Sequence, residues 1–131
     1  MKKKLVIVVF LFLSQMTIAQ EVVPPSKEPI LEINEVDVSP SCPGGIDNFY
    51  NFFEKNFKKP EVPQLIGKLF VSFVVEKDGT LSDVRTIKDV GFGTGIEAER
   101  VILLSPNWIP AKKDRKAVRV LYTVPIPIQT N

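Results

Sequence analysis

The chain of 131 residues contains no histidine, a single cysteine and a single tryptophan, and its 17 basic and 15 acidic groups nearly cancel. Without imidazole, the side chain that most often serves as a general base near neutral pH and as a transition-metal ligand is missing. The carboxylates are scattered along the chain rather than paired. Glu97 and Glu99, two apart on an expected helix, do not face each other. Gly91-Phe92-Gly93-Thr94-Gly95 has the glycines of a phosphate cradle but lacks the lysine and following hydroxyl residue of a P-loop. No nucleophile and base come together, so the protein is expected not to be an enzyme and to use neither cofactor nor metal.

Long hydrophobic runs are equally scarce. The one such run, Leu5 to Leu13, follows Met1-Lys2-Lys3-Lys4 and ends at Ser14-Gln15, well short of the roughly 20 apolar residues of a spanning helix. With Thr17 and Ala19 as small residues before a cut, residues 1–19 read as a cleavable signal peptide. The expected location is the periplasm, with no stable membrane anchor. Losing Lys2, Lys3 and Lys4 leaves 14 basic against 15 acidic groups, a net charge of −1. The short basic stretch Lys112, Lys113, Arg115, Lys116, Arg119 reads as a solvated hairpin tip, and no nucleic-acid partner is expected. In an exported chain the lone Cys42 has no internal disulfide partner, and it is expected as a small buried group.

What is present is strong local patterning. Residues 20–35 read as a flexible tail ending in a short strand, whose imperfect alternation of Leu31, Ile33, Val36 and Val38 with polar residues runs on to residue 38. The domain proper spans residues 36–131. After Pro43-Gly44-Gly45, the residues Ile46, Phe49, Tyr50, Phe53 and Phe57 form one stripe of a helix. Leu69, Val71, Phe73 and Val75 alternate along a strand from Lys68 to Glu76. Lys77-Asp78-Gly79 turns the chain into a return strand, Leu81 to Lys88. Thr94 and Glu97 have the spacing of a capping box opening a second helix, whose Ala98, Val101, Ile102 and Ser105 share a face. Pro106 stops it. A hairpin through Lys113-Asp114-Arg115 leads into a last strand, Ala117 to Val124, which Pro125 and Pro127 are expected to end for want of an amide proton.

The fold class is therefore α+β: two helices on one face of a small antiparallel sheet of three strands, or four if the 30–38 segment joins as an edge. The other sheet face would carry Phe70, Val74 and Leu121, too apolar to stand in water uncovered.

The order of these signals resembles the TonB C-terminal domain family. The resemblance rests on Pro43-Gly44-Gly45, the stretch from Gly67 to Gly79 (Gly-Lys-x-x-Val-x-Phe-x-Val-x-x-Asp-Gly), Glu97-Ala98, and Trp108 with Pro110, and it covers residues 36–128. It implies a scaffold whose last strand accepts an extended peptide by β-augmentation, through backbone bonds at an open sheet edge. Carried over residue by residue, the peptide-binding positions are Arg119, Val120, Leu121, Tyr122 and Thr123, and Trp108 fills the gap between the second helix and the last strand. The implied partner is a TonB-box-like segment of an outer-membrane receptor of transmembrane transport, or of another envelope protein. Energy transduction is not implied, because only residues 20–41 lead up to Cys42-Pro43-Gly44-Gly45, about 75 Å at full extension. Two further readings stand beside this one: a self-associating homodimer module, and a transducer with an uncut anchor. The protein recovered from the envelope is expected to begin at Gln20 by amino-terminal mass spectrometry; a chain still beginning at Met1 would restore the anchored reading.

Overall fold

In the computed structural model the described residues are 28–131, so the expected signal peptide and the first part of the expected tail lie outside them. Eight elements follow in order: β1 (Ile30–Leu31), a 3-10 turn (Ile33–Glu35), α1 (Ile46–Asn56), β2 (Ile66–Val75), β3 (Leu81–Lys88), α2 (Thr94–Leu103), β4 (Ala111–Lys113) and β5 (Lys116–Gln129). The fold is α+β, with two helices and a five-stranded sheet in the order β1-β5-β2-β3, β4 pairing with the start of β5. The expected sheet of three or four antiparallel strands is thus corrected to a mixed one of five, since β1 lies parallel to β5 and Ala111–Lys113 is a strand in its own right.

The core follows the alternation. Leu69, Val71, Phe73 and Val75 of β2 and Val120, Val124, Ile126 and Ile128 of β5 are buried together, with Phe49 and Phe53 of α1 and Ala98, Val101 and Ile102 of α2. Both helices therefore pack on that face of the sheet. Tyr50 and Phe57 of the α1 stripe are half-buried, and Ile46 is exposed. Trp108 is buried, meets the rings of Phe49 of α1, Phe73 of β2 and Tyr122 of β5 edge-on at 5.2–5.5 Å, and donates its indole N–H to the Ser105 hydroxyl just past α2 at 3.3 Å.

Three local expectations are corrected. Thr94 and Glu97 form no capping box: the cap residue is Gly93, the Thr94 hydroxyl donates to the Gly91 carbonyl at 2.6 Å, and Glu97 turns instead to Arg100 and to the Lys58 amide. Cys42 is only partly buried, beside the core, and burial raises its thiol pKa. The third correction is the larger one. β5 does not stop at Val124 but pairs with β2 through Pro125 and Pro127 to Gln129.

The phase of that ladder explains why the prolines are tolerated. Beyond its end the Thr130 amide donates to the Leu65 carbonyl at 2.9 Å, which sets the hydrogen-bonding residues of the β5 register as the even-numbered ones. In an antiparallel pair the two sides alternate, so odd-numbered residues of β5 direct amide and carbonyl away from β2. Pro125 and Pro127 are odd-numbered. They stand where β2 asks for no proton, and the ladder continues past them intact.

At the other end, Gly79 holds the β2–β3 turn with φ of 85°. Its amide donates to the Glu76 carbonyl and its carbonyl accepts from the Trp108 amide at 2.7 Å. An added Cβ would lie 2.0 Å from the Trp108 carbonyl oxygen. Gly79→Ala is expected to cost roughly 2–4 kcal/mol, from left-handed strain and the backbone clash together, measured by denaturant unfolding; a loss under about 0.5 kcal/mol would show that the turn is not tied to Trp108 in this way.

Candidate functional site

Two borders of the sheet could receive a guest backbone, and the side chains treat them differently. The border formed by β3 is blunted. Its pairing with β2 slips twice, Asp83 sits at φ of 48°, and the outward Thr86 amide is taken by Glu99 of α2 at 3.1 Å. The Thr86 hydroxyl donates to the Gly95 carbonyl at 3.2 Å, closing α2 over the strand. Bulges and a covering helix are established means of protecting an edge.

The outer side of β5 is different along its length. At its start, β1 pairs in parallel, Ile30 with Arg119 and Leu31 with Val120. Parallel bonds slant across the pair, so this cover reaches the outward groups flanking Val120, those of Arg119 and Leu121. Farther on, Pro125 and Pro127 have no amide to offer, and the Pro125 carbonyl accepts the Tyr50 hydroxyl of α1 at 2.7 Å. Between these limits stands Thr123, exposed, with an outward amide and no pairing strand among the described residues. Beside the far end of β5 lies a cleft of about 530 Å³, walled by Tyr50 and Phe53 of α1, by Phe57 just past its end, and by Ile126, Pro127 and Ile128.

The five sequence-assigned positions therefore form one continuous run, but in two classes. Arg119, Leu121 and Thr123 direct their backbone outward, and they are the residues a guest strand would bond. Val120 and Tyr122 bond β2 and point their side chains to the core side. The expected edge strand of the 30–38 segment is present as β1, but its alternation did not say that it would take this border, and Tyr50 as the downstream stop, a lone hydroxyl contact, carries no sequence signal.

Arg119 is the electrostatic centre. It is buried, and its guanidinium meets Glu76 through two bonds, Nε to Oε2 at 2.7 Å and Nη2 to Oε1 at 2.9 Å. Ser82 of β3 donates to the same carboxylate at 2.6 Å, and Arg119 Nη1 donates to the Glu28 carbonyl at 2.6 Å. Glu28 also pairs with Lys77 at the surface. One side chain thus joins β5, β2, β3 and the residues leading into β1. On the outer sheet face Val74, cross-strand from Leu121, is fully buried, and Lys88 lies over the Phe70 ring at 5.8 Å.

Among the described residues no group of three or more histidine, cysteine, aspartate or glutamate side chains could hold a metal ion, and no helix is long and apolar enough to cross a membrane. Compared with known proteins, the chain matches no family model, no curated protein and no solved structure.

The hydrogen bonds from Arg119 hold the Glu76 carboxyl below the ordinary glutamate value of 4.5. A depressed folded-state pKa contributes stability that is present above the unfolded value and is lost as pH falls through the folded one. Arg119→Met leaves a mostly buried carboxylate without its cation and is expected to cost roughly 3 kcal/mol at neutral pH. The deficit relative to the parent shrinks in acid, because Glu76 of the variant, no longer held low by Arg119, takes up its proton at a higher pH than Glu76 of the parent. Urea unfolding between pH 3 and pH 7 reads this; a deficit independent of pH would mean that Arg119 acts through packing alone.

Proposed function

We propose that this protein is a peptide-binding module of the cell envelope that adds an extended segment of a partner protein to the outer side of β5, at Arg119, Val120, Leu121, Tyr122 and Thr123. The observation that carries the proposal is the phase of β5. Three successive outward residues, Arg119, Leu121 and Thr123, have amides as well as carbonyls, and the register with β2 needs none of them. On the β3 border, in contrast, the Thr86 amide is already taken by Glu99. Backbone pairing of this kind supplies affinity, and side chains at alternate positions supply selectivity.

The motifs shared with TonB C-terminal domains point the same way, and they name the first partner to try: the TonB-box-like segment of an outer-membrane receptor. Periplasmic location and the absence of energy transduction belong to this proposal. So does a non-catalytic role, since binding by backbone pairing asks for no reactive side chain.

Titration of receptor-derived TonB-box peptides against the protein is expected to shift the amide resonances of residues 119–123 and leave those of β3 unmoved. Thr123→Pro removes one outward donor without breaking a β2 bond, as Pro125 and Pro127 already do two and four residues on. The variant is expected to fold with stability within about 1 kcal/mol of the parent and to lose most of the peptide affinity. A folded Thr123→Pro protein that binds as well as the parent would overturn edge recognition. A tight dimer that ignores every peptide, with residues 119–123 at its interface, would replace it by self-association.

A further inference from the structure

The outward donors of the proposed site are not all vacant, because β1 stands on the first of them. Its hold is limited in extent. The ladder is two residues long, Ile30 is 43% exposed, and the Lys77–Glu28 pair is at the surface, where such pairs contribute little. None of residues 28–31 belongs to the buried core or packs against it.

The chain just downstream is held independently of β1. Glu32 and Glu35 close the 3-10 turn through reciprocal bonds between their side chains and backbone. After it, the amides of Asp37 and Val38 donate to the Lys112 carbonyl at 2.9 and 3.0 Å, Val38 accepts from Lys112, and Ser41 pairs with Ile109. The Asp37 carboxylate also takes the Asp114 amide at 2.8 Å. Residues 28–31 can therefore swing away about the 3-10 turn while residues 37–41 stay in place. Arg119 keeps its two bonds to Glu76 in either state, so departure of the Glu28 carbonyl does not leave the guanidinium unpaired.

We infer that residues 28–31 are a built-in guest strand: an intramolecular cover on the upstream half of the peptide site that must be displaced before a partner can bond Arg119 and Leu121. The inference rests on the proposed function and adds its regulation. With β1 seated, a partner finds the Thr123 amide alone between the cover and Pro125. With β1 gone, it finds three outward amides in succession. The apparent affinity for any partner is then reduced by the fraction of molecules in which β1 is seated. An extended segment that supplies its own backbone, with a carbonyl placed for Arg119 as Glu28 places one now, is the class of partner that offsets this cost.

The test uses the full chain and one probe, a synthetic hexapeptide copying residues 28–33 (Glu-Pro-Ile-Leu-Glu-Ile). The parent is compared with a loosened variant carrying Glu28→Gly, Ile30→Ser and Leu31→Ser. Amide exchange at residues 119 and 121 first establishes that the cover has left. The variant is expected to bind the probe at least about tenfold more tightly than the parent, as for a cover seated in nine molecules of ten, with shifts at residues 119–123. Equal affinity in both, with the same residues shifted, overturns the cover and leaves edge recognition standing. Binding to neither, although residues 119 and 121 exchange freely in the variant, overturns the peptide reading of this edge and the cover with it.

Discussion

The hydrogen-bond phase of β5 against β2 is the constraint on which the rest of the structure depends. Ten residue pairs from Val75 with Val120 to Ile66 with Gln129 fix it. Because direction alternates along a strand, that one register decides which backbone groups hold the sheet and which are left for other uses. It also decides the core. The same residues that bond β2 point their side chains at Phe49, Phe53 and α2, so a slip by one position would expose Val120, Val124, Ile126 and Ile128 together.

Around this constraint the outer side of β5 is divided among three treatments: a short parallel strand upstream, one exposed threonine, and two prolines next to a tyrosine hydroxyl downstream. Prolines on an edge are a protection against unwanted pairing. Here they confine any guest to residues 119–123, since beyond Thr123 no amide is offered until Gln129. Arg119 terminates the same stretch from the other side. Its side chain is committed to Glu76, while its backbone faces outward, so rigid placement of the guanidinium and an accessible strand edge coexist in one residue.

Much of the fold was legible in the chain. The stripe from Ile46 to Phe57, the alternation from Leu69 to Val75 and the glycine of the Lys77-Asp78-Gly79 turn each report a local period or a local dihedral need, and the corresponding elements form where expected. What stayed hidden depends on partners far away in sequence. Pro125 and Pro127 read as terminators because a single strand does not disclose its phase; only the pairing with β2 does. Thr94 and Glu97 had capping-box spacing, but Asp89, Gly91 and Arg100 outcompete that local arrangement. The proposed site residues form one run on β5, and the 30–38 segment read as an edge strand, but its border did not: the contact that seats β1 joins Arg119 to Glu28, 91 positions apart, and leaves no trace in composition.

Native-state hydrogen exchange along β5 tests the account most directly, because it reads the direction of each amide. The account predicts slow exchange at Val120, Tyr122, Val124, Ile126 and Ile128, which bond β2, and fast exchange at Thr123, with Arg119 and Leu121 between the two as the β1 cover opens and closes. Thr123 as strongly protected as Tyr122 and Val124 would mean that this border is already filled, and the proposed peptide site would have no place to form.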